Sequence, residues 1–147
     1  MREAIALARS NVDAGGRPFG AVLVHDGNVR ARGVNETHAT QDPTAHAELL
    51  AIRFAAQATG RLRLDGSTVY ASGHPCPMCL AAMQLCGVGR VFYAYSNEDG
   101  KPYGLSSDGV YARMGLSPDV PSMPLVQLRP AGEEGLYDDW ERRRTRG

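Results

Sequence analysis

The chain has 147 residues, 43% of them hydrophobic, and 16 lysines and arginines balance 16 aspartates and glutamates. This length supports one domain over residues 1–147 with a sizeable core, and the zero net charge argues against a general polyanion binder. The apolar runs, such as Ala21–Val24, are far shorter than the roughly 20 residues of a membrane span, and charge interrupts the first of them, which favours an amphipathic helix over a signal peptide. We therefore expect a cytoplasmic protein with no membrane partner.

Apolar periodicity and turn-forming residues predict alternating helices and strands in the order α-β-β-α-β-α-β-α-β-α. In chain order they lie at residues 2–13, 20–25, 28–34, 45–58, 68–71, 76–87, 90–95, 111–116, 125–128 and 133–144. Asp26-Gly27 between the first two strands is a strong hairpin signal. Residues 35–43 and 97–108 have loop character. Strands that alternate with helices after an opening hairpin predict an α/β fold, with helices on the faces of a mixed sheet.

Two short segments contain the residues of a candidate metal site. His46-Ala47-Glu48 stands at the start of the predicted helix 45–58, and Cys76 and Cys79 open the helix 76–87. In a layered α/β domain, two helices on one face can bring their N-termini together. One imidazole and two thiolates suit Zn²⁺ and not Mg²⁺ or Ca²⁺, and helix N-termini favour the thiolate form. Three protein ligands leave a fourth position open for water, as in a catalytic zinc site.

Glu48 is the candidate catalytic residue. Two residues after His46 on a helix, it does not share the face of His46, so it is poorly placed as a ligand but can lie beside a bound water. Because two thiolates neutralise the Zn²⁺ charge, the metal lowers the pKa of its water less than in a three-histidine site, and a nearby base becomes useful. We expect Glu48 to take a proton from that water, giving a zinc-bound hydroxide, and to pass it to the substrate ring and the leaving ammonia.

A zinc-stabilised binding module without activity is a different interpretation of the same residues. It requires a fourth protein ligand, and the candidates are His74 and Cys86. His74 lies only two residues before Cys76, on the predicted strand-to-helix turn. Cys86 lies seven residues beyond Cys79, about 10 Å along a helix, which is too far for one ion. The pattern therefore favours a catalytic zinc.

The combination H-x-E followed by P-C-x-x-C is the signature of zinc deaminases, and here 26 residues separate the two parts. With these motifs the chain resembles the cytidine deaminase-like superfamily. Within it, the chain is most similar to small guanine deaminases and nucleobase deaminases, with tRNA adenosine deaminases as close cousins. The similarity extends through Pro18–Val24, Asn35, Asp42–Glu48, Ala51–Arg53, Pro75–Cys79 and Val91–Ala94.

The resemblance implies a three-layer α/β/α sandwich around a five-stranded mixed sheet, with one bound Zn²⁺. It implies a hydrolytic deaminase whose partner is a small-molecule nucleobase, and a homodimer or larger assembly in which a neighbouring subunit helps to close the pocket. It also implies that Asn35 hydrogen-bonds the base, that Phe19 lines its edge, and that the Ala47 N–H contacts the carbonyl or leaving-group side.

The sequence departs from guanine deaminases where the substrate is recognised. His74 stands where a glutamate is expected before Pro-Cys, and residues 104–108 stand where an acidic pair is expected. A hydroxyl is a weaker partner for two donors than a carboxylate. His74, Ser107 and Asp108 are therefore the candidate substrate contacts, and the identity of the heterocycle stays open.

A tRNA adenosine deaminase is the alternative enzyme. Such enzymes need a basic surface and a base flipped out of a single-stranded loop. The zero net charge and the segment Ser96–Lys101 argue against that substrate, so nucleic acid is not an expected partner. The cluster Arg142–Arg146 at the chain end is expected to be solvated rather than bound to RNA.

Overall fold

A five-stranded sheet with helices on both faces forms the centre of the structure, a computed structural model that describes residues 1–147. The strands are β1 (Gly20–His25), β2 (Asn28–Val34), β3 (Thr68–Gly73), β4 (Arg90–Tyr95) and β5 (Leu125–Gln127). The helices are α1 (Arg2–Asp13), α2 (Thr37–Thr40), α3 (Ala47–Thr59), α4 (Pro77–Cys86), α5 (Asn97–Gly100), α6 (Asp108–Met114) and α7 (Leu136–Arg146), with a 3-10 helix at Lys101–Tyr103. None of the helices is both long and apolar enough to cross a membrane.

The strands lie in the order β2-β1-β3-β4-β5, and the sheet is mixed as predicted. β1 is antiparallel to β2 and β3, whereas β3, β4 and β5 run parallel. The β1–β2 hairpin is confirmed: Asp26 and Gly27 both have positive φ angles, 51° and 72°, which is the backbone of the turn that matches strand twist. β1 is antiparallel to both β2 and β3, and β4 is parallel to β3, so the carboxyl ends of β2, β3 and β4 lie at the same end of the sheet.

Apolar residues form two cores, one on each face of the sheet. On one face α3 and α4 pack against the strands, with Ala51, Met83 and Val69 fully buried. On the other face α1 and α7 pack together through residues such as Ile5 and Leu136, both fully buried. These two cores make the three layers of the sandwich, so the predicted fold class is confirmed.

Two strand glycines allow helices to lie directly on the sheet. A Cβ atom on Gly20 would lie 2.8 Å from the Ala8 nitrogen of α1. A Cβ atom on Gly33 would collide with the Ala47 carbonyl and lie 2.8 Å from the Ala51 nitrogen of α3. Because Gly33 has no side chain, the first turn of α3 approaches β2 closely. This contact fixes the height of that turn above the sheet.

Four predicted segments differ from the structure. The segment 35–43 contains the short α2, and 97–108 contains α5, the 3-10 helix and the start of α6, which spans Asp108–Met114 rather than 111–116. Ser96 caps the start of α5: its hydroxyl accepts from the Asp99 N–H at 3.1 Å, and its own N–H donates to the Asp99 carboxylate at 2.7 Å. α7 begins at Leu136 rather than at 133, because Gly135 has a φ of 82° that is incompatible with a helix.

Candidate active site

His46, Cys76 and Cys79 meet where α3 and α4 begin. His46 and Cys76 are the extended residues that precede the two helices, and Pro77 occupies the first helical position of α4. His46 Nδ1 lies 3.5 Å from Cys76 Sγ and 3.6 Å from Cys79 Sγ. With Zn–N near 2.0–2.1 Å and Zn–S near 2.3 Å, tetrahedral zinc places nitrogen and sulfur about 3.6 Å apart. The three donors therefore fit one Zn²⁺.

The two cysteines differ in their acidity. Hydrogen bonds from Cys79 and His46 lower the pKa of Cys76 to about 4. The hydrogen bond to Cys76, together with burial, raises the pKa of Cys79 well above its usual value. The hydrogen bond with Cys76 also raises the pKa of His46. A thiolate is thus already present at the place where a metal requires one.

Glu48 lies in the first turn of α3, beside these donors, and is only 7% exposed. Its one side-chain hydrogen bond is accepted from the Cys79 thiol, at 3.6 Å from Oε2. Burial raises the pKa of the Glu48 carboxyl to about 7, against the opposing effect of its own backbone N–H. A carboxyl with a pKa near neutrality takes up and releases protons readily, which suits a general acid and base.

A cavity of about 260 Å³, called here the catalytic cavity, opens in front of these side chains. It lies at the end of the sheet where Asn35 follows β2, where His74 follows β3 and where Phe19 precedes β1. Ligands of open α/β sheets bind beyond the carboxyl ends of the parallel strands. The lining residues are Arg17, Phe19, Asn35, His46, Glu48, His74, Cys76, Gly104, Leu105, Ser106, Ser107 and Val110.

The catalytic cavity brings together most of the residues predicted from the sequence. Cys79 is buried behind the cavity wall, next to Glu48. Two other candidates do not line the cavity. Ala47 is buried between His46 and Glu48, with its N–H in the first turn of α3, and the Asp108 carboxylate lies 3.1 Å from Lys101 Nζ.

Asn35 presents a hydrogen-bond donor to the cavity. Its side-chain oxygen accepts from the Thr37 hydroxyl at 2.8 Å and from the Thr37 backbone N–H at 3.3 Å. A backbone N–H can only donate, so this atom is the amide oxygen. The Asn35 NH₂ group is therefore left for a ligand acceptor.

His74, in contrast, presents a hydrogen-bond acceptor to the cavity. Its Nδ1 lies 2.9 Å from the Pro75 carbonyl oxygen, which can only accept, so Nδ1 carries the proton. Burial lowers the pKa of His74, which keeps the ring neutral and leaves Nε2 as an acceptor. The ring is held edge-on against Tyr93, with centroids 4.7 Å apart. The Tyr111 hydroxyl donates to the same Pro75 carbonyl at 2.6 Å.

The two serines of the cavity wall are already hydrogen-bonded. The Ser107 hydroxyl and N–H donate to Asn97 Oδ1 at 3.2 and 2.9 Å, and the Ser106 hydroxyl accepts from the Asp108 N–H at 3.2 Å. Ser107 thus keeps lone pairs for a ligand donor, whereas Ser106 keeps its proton.

The sequence-based predictions did not single out Arg17, Leu105 or Val110 as cavity residues. Leu105 reaches the cavity through the irregular segment after β4, whose path the apolar pattern does not reveal. Arg17 could have been found from the sequence, because it is a charged residue directly before Pro18-Phe19, and Phe19 is already expected to line the edge of the substrate.

The three-layer fold and a His-Cys-Cys site with a buried carboxylate define a zinc-dependent hydrolase. Comparison with known families gives the family: residues 1–95 match the model described as "Cytidine and deoxycytidylate deaminase zinc-binding region". The chain belongs to this family, and it is a deaminase whose cofactor is Zn²⁺.

Two relatives illustrate the range of the family. The chain is 39% identical over 141 residues to a guanine deaminase of Bacillus subtilis, covering 95% of this chain and 90% of that protein. It is 42% identical over 100 residues to a tRNA-specific adenosine deaminase of Agrobacterium fabrum, covering 68% and 66%. The crystal structure of guanine deaminase from Bacillus subtilis superposes with a TM-score of 0.75 at 36% identity, covering 96% of this chain and 90% of that chain. The predicted resemblance is confirmed.

Proposed function

We propose that this protein, as one domain over residues 1–147, hydrolyses the exocyclic amine of a free nucleobase-type heterocycle and releases ammonia. The observation that carries the proposal is the buried Glu48 carboxyl, placed against the His46, Cys76 and Cys79 donor set and facing the catalytic cavity. The cavity volume of about 260 Å³ lies just under the roughly 300–1,000 Å³ of pockets for drug-sized ligands. It favours a small ring over a nucleoside.

The side chains divide the reaction between them. A zinc ion held by His46, Cys76 and Cys79, when bound, supplies Lewis-acid activation of a water molecule. Glu48 accepts the proton that the water loses, delivers it to a ring nitrogen of the substrate, and later assists the departing amine. The sum is water plus an aminated ring giving an oxo ring plus ammonia.

Recognition of the ring is assigned to the remaining cavity residues. The Asn35 NH₂ donates to a ring or carbonyl acceptor, and His74 Nε2 and Ser107 accept from ring N–H groups. Phe19 packs along the edge of the ring, and the Ala47 N–H serves the carbonyl or leaving-group side. Asp108 contributes only if its ion pair with Lys101 opens.

An ammonia-release screen tests this proposal. Zinc-loaded protein is offered guanine, adenine, cytosine, their nucleosides and aminotriazines, with metal content measured in parallel. We expect one zinc per chain and turnover of at least one free base that exceeds turnover of every nucleoside. Release of no ammonia from any of these compounds by fully metallated protein would overturn it in favour of a zinc-stabilised binding module. A purine substrate would place the enzyme in purine metabolism.

Deamination of adenosine in tRNA is the second candidate. It is supported by the similarity to a tRNA-specific adenosine deaminase, which covers 68% of this chain. Binding of a tRNA anticodon stem-loop at low salt, weakening steeply as salt rises, would favour this candidate. Absence of binding at low salt would remove it.

The protein is proposed to form a homodimer. It is also proposed to reside in the cytoplasm, a reducing compartment. Leu62 and Leu85 are 87% and 78% exposed, which is unusual for large apolar side chains and favours burial against a second subunit. All three cysteines are free thiols, as metal-binding thiolates require. Light scattering coupled to size-exclusion chromatography tests the dimer, and the double variant Leu62→Ser/Leu85→Ser is expected to shift it toward monomer.

A further inference from the structure

Arg17 is the one lysine or arginine that lines the catalytic cavity, and no carboxylate lies within ion-pair distance of it. Its Nε is buried and has no hydrogen-bond partner. The guanidinium carbon lies 5.7 Å from the centroid of the Phe19 ring, a contact in which the ring face attracts the cation without neutralising it.

Two other arginines with partly buried side chains, Arg9 and Arg129, are paired. Arg9 lies 2.9 Å from an Asp139 carboxylate oxygen with its side chain 33% exposed, and Arg129 lies 3.5 Å from Asp99 with its side chain 32% exposed. Burial lowers the pKa of the Arg17 guanidinium, but an arginine stays charged at any physiological pH. A half-buried charge without a counter-ion is unfavourable. An anionic ligand would supply the counter-ion that this chain does not give to Arg17.

The position of Arg17 defines where that ligand lies. Arg17 and Asn35 line both the catalytic cavity and an adjoining groove of about 420 Å³, whose other walls include His38 and the single carboxylate of Glu36. Within the catalytic cavity the one carboxylate is Glu48, next to the metal donors. A group that projects from the substrate ring, away from the metal and toward the groove, therefore meets donors, namely the guanidinium and the Asn35 amide.

We propose that Arg17 determines specificity by binding an anionic oxygen group, a carboxylate or a phosphate, carried by the heterocycle that is deaminated. The guanidinium fork matches both groups in bidentate geometry. The inference rests on the proposed deaminase function and narrows its substrate class to acidic derivatives of aminated rings.

Matched pairs of neutral and anionic compounds test the proposal. Cytosine is compared with cytosine-5-carboxylic acid for the carboxylate. 9-Methyladenine is compared with 9-(phosphonomethyl)adenine for the phosphate, because a phosphonate on a small ring presents the same anionic oxygens. kcat and KM for ammonia release are measured for the native protein, Arg17→Gln and Arg17→Lys. Arg53→Gln is the matched control, because it removes an exposed, unpaired arginine of α3 that does not line the cavity. Binding is measured separately by calorimetry on zinc-loaded Glu48→Gln protein with and without the Arg17 change.

In at least one pair we expect the anionic member to bind at least tenfold more tightly than the neutral one. Arg17→Gln should remove that preference through KM, Arg17→Lys should keep part of it, and Arg53→Gln should keep all of it. Equal binding of the two members in both pairs, or equal losses for both in Arg17→Gln, would overturn the proposal while leaving deamination of neutral bases intact. An Arg17-dependent preference in calorimetry without any ammonia release would instead refute the proposed function alone.

Discussion

Glu48 is buried beside two sulfur donors, and its pKa of about 7 follows from that burial. A carboxylate in such a place lowers the stability of the fold, and a role in the reaction accounts for its presence there. Replacement of Glu48 by glutamine keeps the size of the side chain and removes its ability to exchange protons. The metal donors are untouched by this change.

We expect Glu48→Gln to retain one zinc per chain and to lose at least about 10²-fold in kcat, the usual scale for a lost general base. Zinc content by elemental analysis and ammonia release are the measurements. Glu98→Gln, a change at a side chain that is 75% exposed, is the control and should keep full activity. Unchanged turnover in Glu48→Gln would contradict the assigned role.

The three cysteines allow a clean test of the donor set. Cys79 Sγ lies 3.6 Å from His46 Nδ1, whereas the one hydrogen bond of the Cys86 thiol is donated to the Met83 carbonyl, at 3.6 Å. Cys79→Ser should therefore lose zinc at least tenfold more easily in a chelator titration, and Cys86→Ser should bind it as the native protein does. Comparable zinc loss in both variants would contradict the assignment.

At this scale the metal donors and Glu48 could be predicted from the sequence, because their spacing places them in the first turns of two helices. The substrate wall could be predicted only in part. The family resemblance implies Asn35 and Phe19, and a departure from the family pattern points to His74. Arg17 enters the cavity through an irregular segment before β1, and Asp108 is turned to Lys101 by an ion pair that no periodicity reveals.

Among the elements, α3 is placed by its contact with β2. The absence of a side chain at Gly33 lets the Ala47 carbonyl lie against the strand, and this sets the first turn that carries His46 and Glu48. A methyl group at this position must push the helix away, since its nearest neighbours are backbone atoms of α3 that cannot move alone.

Gly33→Ala should therefore lower the free energy of unfolding by about 1–3 kcal/mol, the usual range for overpacking, and weaken zinc binding at the same time. Urea unfolding and a zinc titration measure the two effects. Gly109→Ala is the control: its added Cβ meets only the flexible end of Arg113, at 3.1 Å, so its stability should stay within about 0.5 kcal/mol of the native value. A stable Gly33→Ala protein with native zinc affinity would contradict this account.

The elements that could be predicted are those with a strong period or a strong turn signal, such as β1, β2 and α3. The segment between β4 and β5 could not be predicted, because its short helices depend on local hydrogen bonds. The reciprocal bonds of Ser96 and Asp99 start α5 within four residues, which is shorter than one apolar period. α7 begins later than predicted because Gly135, the residue before it, has a left-handed backbone.

Over the whole molecule, buried tyrosines couple stability to high pH. Tyr137 and Tyr111 are 4% and 5% exposed, and burial raises the pKa of both phenols above the ordinary value of about 10. The unfolded chain loses these protons at lower pH than the folded one. Their contribution to stability is thus complete below about pH 10 and is lost as the pH rises above that value.

Each such tyrosine should lower the free energy of unfolding by about 1.4 kcal/mol per pH unit above pH 10. Tyr137→Phe removes one of them, and the Tyr137 hydroxyl makes no hydrogen bond that would be lost. We expect the variant to match the native protein within about 0.5 kcal/mol at pH 7 and to show a slope smaller by about 1.4 kcal/mol per pH unit between about pH 10.5 and 11.5. Denaturant unfolding at several pH values gives both, and an unchanged slope would contradict the argument.

The Pro75 carbonyl accepts from His74 on one side and from Tyr111 of α6 on the other. This single oxygen ties the family-matched portion, residues 1–95, to a helix that follows it in the chain. Exchanging α6 between relatives would therefore shift the loop that bears Cys76 as well as the wall near Val110. A change of substrate preference through α6 must therefore leave the position of the cysteine loop unchanged.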